Sequence, residues 1–269
     1  MNLKEKILNQ AQIALDSKNA FLLFAPQTEA VIDNGFKFII RFYDSSLRDI
    51  LSKNPKRPNP LTPPFDTDIH VCDLKDGASH HVLINKFMQC KGHIVISSIK
   101  KSAMQGDNLD ISDFNAFEQV FESFNYEGIL YYNSGSNSGC TQPHKHIQYT
   151  PIGECPILEA MIANKNLPFY YHIKKIDGQI TSEKMMKVYE ELLEESKKDP
   201  PHDSYNFIII KGYAFYVPRK KSKFRCGTLL NSIAVSGNIP VWNWSDQSLK
   251  EKPLSALEEV CIPTVATIE

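Results

Sequence analysis

Two apolar runs, HHVLINKF at 80–87 and GHIVISS at 92–98, are separated by a short link. Each is rich in β-branched residues, bounded by turn formers and too short for a core helix, so each reads as a strand. A parallel crossover needs a dozen or more residues, which makes these two strands antiparallel neighbours. FKFIIRFY at 36–43 and EGILYYN at 127–133 have the same texture. An antiparallel sheet is therefore the element around which the rest must be arranged.

Helices fit around it. Leu3, Ile7, Leu8, Ala11, Ala14 and Leu15 recur at helical spacing near the amino terminus. A second helix fits 112–124, with Ser112 as its cap and Phe114, Phe117, Phe121 and Phe124 on one stripe. That stripe is what a helix covering a sheet needs, and it reads as core rather than as a ligand box. Between the strands, SKNPKRPNPLTPPFD at 52–66 carries five prolines and predicts an extended surface segment.

Past residue 155 the texture changes. A short helix at 156–164 is followed by a helical stretch at 182–197 with Met185, Met186, Tyr189, Leu192 and Leu193 on one face. YNFIIIKGYAFYVP at 205–218 reads as a hairpin turning near Lys211 and Gly212, and GTLLNSIAVSG at 227–237 as a further strand and loop. These observations predict an α+β chain of two packed halves, 1–157 and 158–269. The second half is expected to complete the fold and the substrate site.

The formal net charge of −1 leaves no overall field to draw the chain to nucleic acid or a membrane surface. Anion binding must then come from local clusters: Lys53, Lys56 and Arg57, or the denser Arg219, Lys220, Lys221, Lys223 and Arg225. No stretch approaches 18 apolar residues, and the charged, amphipathic amino terminus is unlike a signal peptide. Six cysteines without a CxxC spacing suit reduced thiols buried as small core residues. The expected location is cytosolic or nuclear.

The chemistry concentrates in NSGSNSGCTQPHKHIQYT, 133–150. On a strand over 144–150, period two places His144, His146 and Gln148 on one face and Lys145, Ile147 and Tyr149 on the other, with alternate residues about 7 Å apart. Ahead of them, Gly135 and Gly139 among Ser134, Ser136, Asn137 and Ser138 have the composition of an anion-binding nest. A neutral imidazole beside a bound phosphate is a competent nucleophile toward phosphorus. Gln148 and Thr141 supply donors for a nonbridging oxygen. Two other readings remain open on spacing alone. The two histidines are also suited to a metal, with Cys72 and Cys140 as further ligands, or they are polar strand residues facing solvent.

The combination of NSGSNSGCTQPHKHIQ with HVLINKFMQCKGHIVIS resembles the ATP adenylyltransferase family, also called diadenosine tetraphosphate phosphorylases, of the histidine triad superfamily. GFKFIIRF, KNPKRPNPLTPPF, LPFYYHI and YNFIIIKGYAFYVPRKK look like their counterparts in that family. The resemblance implies a histidine-triad-like antiparallel sheet with flanking helices. It also implies that His146 attacks the α-phosphorus and carries AMP, that Gln148 holds the phosphoryl oxygens, and that His144 orients its neighbour. Asn133, Ser136, Asn137, Ser138 and Gly139 match the phosphate-binding segment, and Thr141 stands where the family has serine. Lys53 matches a residue that reaches the polyphosphate, and Asn85 and His93 match the upstream strand pair.

The implied partners are small molecules, a dinucleoside polyphosphate and inorganic phosphate, and two halves in one chain permit a monomer. No acidic metal-binding motif is visible, so a divalent ion, Mg2+ or another, is expected to arrive with the polyphosphate. Competing functions are a hexose-1-phosphate nucleotidylyltransferase or nucleotide-sugar phosphorylase, and a non-catalytic dinucleotide sensor.

Overall fold

The computed structural model describes residues 1–53, 59–225, 227–242 and 247–264, and the side chains of all of these but 51–53. In chain order, α1 (Leu3–Asp16) leads to β1 (Phe21–Leu22), β2 (Phe24–Asp33), β3 (Phe36–Tyr43) and α2 (Arg48–Lys53). Next come β4 (His70–Leu74), β5 (His80–Ile84), β6 (Phe87–Met88), β7 (Ile94–Ser98), α3 (Ile111–Ser123), β8 (Ile129–Ser134) and β9 (His146–Thr150). The remainder is α4 (Pro156–Ile162), β10 (His172–Lys175), α5 (Ser182–Ser196), β11 (Ser204–Ile210), β12 (Tyr213–Arg219), α6 (Ser232–Val235), β13 (Asn238–Val241), α7 (Gln247–Glu251) and α8 (Pro253–Val260).

One eight-stranded sheet, in the order β10-β12-β11-β8-β9-β7-β5-β4, organises the molecule. Every neighbouring pair in it is antiparallel. Strands from both halves of the chain share this sheet, with β11 pairing β8, so the halves are joined by a hydrogen-bonded ladder as well as by packing. A smaller sheet, β13-β3-β2, lies apart from it.

Alternation assigns each strand residue to a face. Val82, Ile84, Ile94, Ile96, Leu130, Tyr132, Ile147, Tyr149, Phe207 and Ile209 form one core with α1, α3 and α5. Ile129, Tyr131, Ile208, Phe215 and Val217 point the other way and pack with β3, β13, α4, α6 and α8. A third, small cluster, Leu61, Leu83 and Val95, covers the opposite end of that second face. His146, Gln148 and Thr150, alternating with Ile147 and Tyr149, fall on the second face between these two apolar patches. Backbone order and sheet register together leave a polar strip there.

The phenylalanine stripe of α3 is core as expected, with Phe114, Phe117 and Phe121 fully buried. Its cap is Asp110 rather than Ser112: Asp110 accepts from the amides of Ser112 and Asp113, and Asp113 returns a bond to the Asp110 amide. A carboxylate at that position is a full capping box, which a serine two residues later cannot make. The segment read as a strand at 227–237 forms the short helix α6, capped by Asn231, and the strand begins at Asn238. The proline-rich segment at 52–66 lies partly outside the described residues; within it Leu61 is buried against Leu83 and Val95 and its carbonyl accepts from Ser97 Oγ at 2.8 Å. That part is a cover over the sheet rather than free surface. Among the described residues no helix is long and apolar enough to cross a membrane.

Candidate active site

β9 begins at His146, two residues later than the alternation suggested. His144 instead makes an isolated bridge with Met104, and its Nε2–H donates to the Ser98 carbonyl at 2.7 Å. At this point β8 and β9 cease to pair, their last register partners being Tyr131 and Gln148. The side chain of Gln105 bridges the gap: its amide nitrogen donates to the carbonyls of Asn133 (2.9 Å) and His146 (3.0 Å), and its oxygen accepts from the His146 amide (2.8 Å). Gln105 is 4% exposed. Its three bonds satisfy backbone groups that would otherwise be buried without partners. Nothing in the sequence pattern marked it, since it lies in an irregular stretch far from the motif.

The His146 ring is 5% exposed, and its Nδ1 lies 2.8 Å from the carbonyl oxygen of His144. A carbonyl only accepts, so Nδ1 carries the proton and Nε2 keeps its lone pair. Burial pushes the His146 pKa down to about 4, against the hydrogen bond to His144, which raises it. Near neutral pH the ring is uncharged, with its tautomer set by the His144 carbonyl.

Gln148 is held by a similar logic. The amide of Gln89 donates to His93 Nδ1 at 3.2 Å, so His93 presents Nε2–H to Gln148 Oε1 at 3.1 Å. Tyr131 Oη donates to the same oxygen at 3.1 Å. Two donors on Oε1 set the amide so that its NH2 is the end left for other partners. Burial lowers His93 to about 4 and raises the Tyr131 hydroxyl, keeping both neutral. Asn85 lies beside this group, its Oδ1 accepting from the Phe87 amide and its Nδ2 3.2 Å from His93 Nε2, a contact that makes no hydrogen bond while Nε2 carries the proton. Of the two upstream residues that the resemblance singled out, His93 bonds Gln148 directly and Asn85 lies next to His93.

Beneath the strip, on the helical face, Lys145 Nζ reaches Asp113 Oδ2 at 2.6 Å and His80 Nε2 reaches Asp113 Oδ1 at 3.0 Å. Burial raises the Asp113 pKa, but the His80 hydrogen bond and the Lys145 charge outweigh it and hold the carboxyl below its usual range. This buried group ties the start of α3 to the residue between the two histidines.

The glycine-rich loop is more structured than its composition suggested. Gly135 and Gly139 have φ of +79° and +85°. A Cβ on Gly139 would come 2.6 Å from the Leu230 carbonyl oxygen, and one on Gly135 the same distance from that of Asp203. Close approach of two backbones accounts for both glycines. The amides of Gly135, Asn137 and Ser138 donate to Gln105 O, Ser204 Oγ and Gly135 O. The Asn133 oxygen accepts from Asn206, from the Ser232 amide and from Ser232 Oγ (2.6 Å). Asn133 and Ser138 are buried, whereas Ser136 and Thr141 are exposed.

The basic run at 219–225 divides. Arg219 is 1% exposed and donates to the carbonyls of Val260, Ser138, Lys221 and Leu230 and to Asn206 Oδ1, while Lys221 and Arg225 pair with Glu259. Arg219 is thus a fastening between the loop and the second half, not a surface charge awaiting phosphate. The side chain of Lys53, and Lys56 and Arg57, lie outside the described residues. The zinc reading of the motif is not supported: Cys72 packs in the helical-face core and Cys140 Sγ donates to the Gly135 carbonyl. Among the described residues, the group of donors close enough to hold an ion is His70, Asp73 and His81.

Comparison with known proteins adds a family and a fold. Residues 1–168 match the model of the Ap4A phosphorylase N-terminal domain, and residues 165–263 match that of the ATP adenylyltransferase C-terminal domain. The crystal structure of yeast Ap4A phosphorylase Apa2 with AMP superimposes with a TM-score of 0.79 at 20% identity, covering 99% of each chain. That of Apa2 with Ap4A gives 0.80 at 21%, covering 98% of each, and that of Apa2 alone gives 0.78 at 22%, covering 100% of this chain and 97% of the other. No curated protein sequence matches.

Proposed function

The chain belongs to the Ap4A phosphorylase and ATP adenylyltransferase family, and from that premise we infer that it phosphorolyses diadenosine tetraphosphate to ATP and ADP. The observation that carries the mechanism is the neutral His146, whose Nδ1–H is given to His144 and whose Nε2 is left as a nucleophile. Nε2 attacks the α-phosphorus, a P–N bond forms, the bridging P–O bond breaks, and ATP leaves with the electron pair. Polyphosphate is a far better leaving group than an alkoxide, so no strong general acid is required. Inorganic phosphate then attacks the adenylyl-histidine, restoring Nε2 and releasing ADP. Two inversions leave the configuration at phosphorus retained.

The NH2 of Gln148 is the donor for the nonbridging oxygen, whose negative charge grows as the P–N bond forms. A divalent cation carried by the polyphosphate, Mg2+ in our reading, offsets the charge of the leaving ATP. We read Ser136 and Thr141, both exposed, as loop hydroxyls available to phosphate. The ligands of the Apa2 structures, AMP and Ap4A, are the kind of molecule this strip would take. We also read the chain as a monomer, because strands of both halves complete one sheet; a sedimentation mass of twice 30.6 kDa overturns this. A cytosolic or nuclear location fits the five described cysteines, all free thiols, of which Cys90, Cys155 and Cys261 are pushed by burial to about 11, 12 and 11. Loss of function on export of the protein from the cytosol, or fractionation with secreted material, tests it.

The deciding experiment is intact mass after mixing with diadenosine tetraphosphate in the absence of phosphate, quenched at neutral or alkaline pH. An adenylyl adduct, absent in His146→Ala and discharged as ADP when phosphate is added, is the expected result. Release of ATP and AMP without an adduct means a hydrolase, and tight binding without turnover means a sensor.

A further inference from the structure

At the far edge of the sheet β4 pairs with β5, and its register slips between His70 and Cys72. His70 faces Leu83 and Asp73 faces His81, so three steps on β4 span two on β5. In a regular strand, residues three apart point to opposite faces. The extra residue of this bulge turns His70 and Asp73 to the same side, which is a recognised use of bulges on edge strands. His81 points to that side too, since its neighbour Val82 is in the helical-face core.

The result is a convergence of three metal-ligand side chains. His70 Nε2 lies 2.9 Å and His81 Nδ1 2.6 Å from the same oxygen, Asp73 Oδ1. The three donor atoms all lie within 4.8 Å of one another. Metal–ligand distances of about 2.0–2.1 Å imply donor separations of roughly 3.3–3.5 Å around a tetrahedral ion, so admission of an ion needs each Asp73 pair to open by less than about 1 Å and the two histidine nitrogens to come to about the same spacing, a side-chain adjustment of roughly 1.5 Å at most. Phe65 stacks on His70 (5.3 Å) and meets His81 edge-on (4.8 Å), fixing both rings from one side. Side-chain exposure of 34% at His70 and 45% at Asp73 leaves the other side open to water.

We propose that His70, Asp73 and His81 form a binding site for one first-row transition-metal dication of the zinc class, with water completing its coordination. Two imidazoles and a carboxylate select such an ion over Mg2+, which prefers oxygen ligands alone. On binding, the ring protons now directed at Asp73 move to the other ring nitrogens, or leave, and freed lone pairs take the ion. The site is distinct from the ion carried by the substrate. His81 is in register with Ser97, and Ser97 with His146, but the Leu61 segment bonds to Ser97 between them. The ion therefore clips the edge hairpin and, through Phe65, the segment that covers the sheet.

The test is calorimetric titration of Zn2+ into the EDTA-treated full chain, with Co2+ absorption as a report on ligands. One Zn2+ per chain and a rise in melting temperature with Zn2+ are expected. Loss of a group that merely hydrogen-bonds a metal ligand already weakens metal sites by about 10–100-fold, so H70Q and H81Q should each weaken Zn2+ by at least about tenfold. H172Q, which removes the imidazole of another His–Asp pair, should leave the affinity unchanged. All variants should retain diadenosine tetraphosphate phosphorolysis, which shows that they fold. No Zn2+ binding by the wild type, or equal affinity in the H70Q/H81Q double variant, reduces the cluster to a hydrogen-bonded triad and overturns the proposal.

Discussion

His146 Nδ1 donates to the carbonyl of His144, 2.8 Å away and two residues back on the same chain, so the backbone of the first histidine holds the ring of the second. The ring is kept neutral by burial, with a pKa of about 4. Two pH effects follow. The acid limb of kcat/KM arising from His146 should lie near pH 4, well below the 6.5 of a free imidazole; a limb near 6.5 would show that the ring is hydrated in solution. His93 is likewise lowered to about 4. Between pH 6.5 and 4 the unfolded chain binds protons at both rings that the folded chain refuses, so stability measured by urea unfolding should fall as the pH is lowered through that window.

Gln148 is oriented by Tyr131 and His93, and only the glutamine touches substrate in the mechanism. Gln148→Ala should lower kcat by about 100–1,000-fold, the range for losing one charge-stabilising donor. Tyr131→Phe leaves the His93 bond in place and should cost far less, with the loss in kcat rather than KM. Equal losses in the two variants would remove the distinction between donor and orienter.

Gln105 completes the ladder where β8 and β9 part. Gln105→Ala leaves the His146 amide and two carbonyls without partners and should destabilise the fold by about 1–3 kcal/mol per unsatisfied group, less where water enters. Gln105→Glu keeps the acceptor for the amide but loses both donated bonds. A wild-type urea midpoint and wild-type kcat in Gln105→Ala would show that the bridge is dispensable.

Arg219 is a buried cation held by four backbone carbonyls and the side-chain amide oxygen of Asn206. Arg219→Met should lower stability by several kcal/mol, about 1–3 for each acceptor left dry, and loosen the loop through Ser138. Were Arg219 a phosphate ligand instead, the variant would keep its urea midpoint and show only a raised KM.

Removal of divalent ions with EDTA should lower turnover by about a hundredfold or more, as expected when several kcal/mol of charge stabilisation are lost, and Mg2+ alone should restore it. Restoration by Zn2+ but not by Mg2+ would place the catalytic ion on protein ligands and not on the substrate.

Much of this was legible in the residues themselves. Strict alternation through β9 sends Ile147 and Tyr149 to the helical core and leaves His146 and Gln148 on the other face, because side chains in a strand have a period of two whatever surrounds them. The Phe stripe of α3 and the hairpin of β11 and β12 were equally local, and so were readable. What depended on distant chain meeting chain was not. Burial of Arg219, the glycines that admit residues 203 and 230, and the bridge from Gln105 exist only once non-adjacent segments are packed. The His70, Asp73 and His81 convergence is the sharpest case: a three-residue spacing on one strand implies opposite faces, and only a slip in register against a neighbouring strand reverses that. Periodicity belongs to the sequence, but register and burial belong to the partners that folding brings alongside.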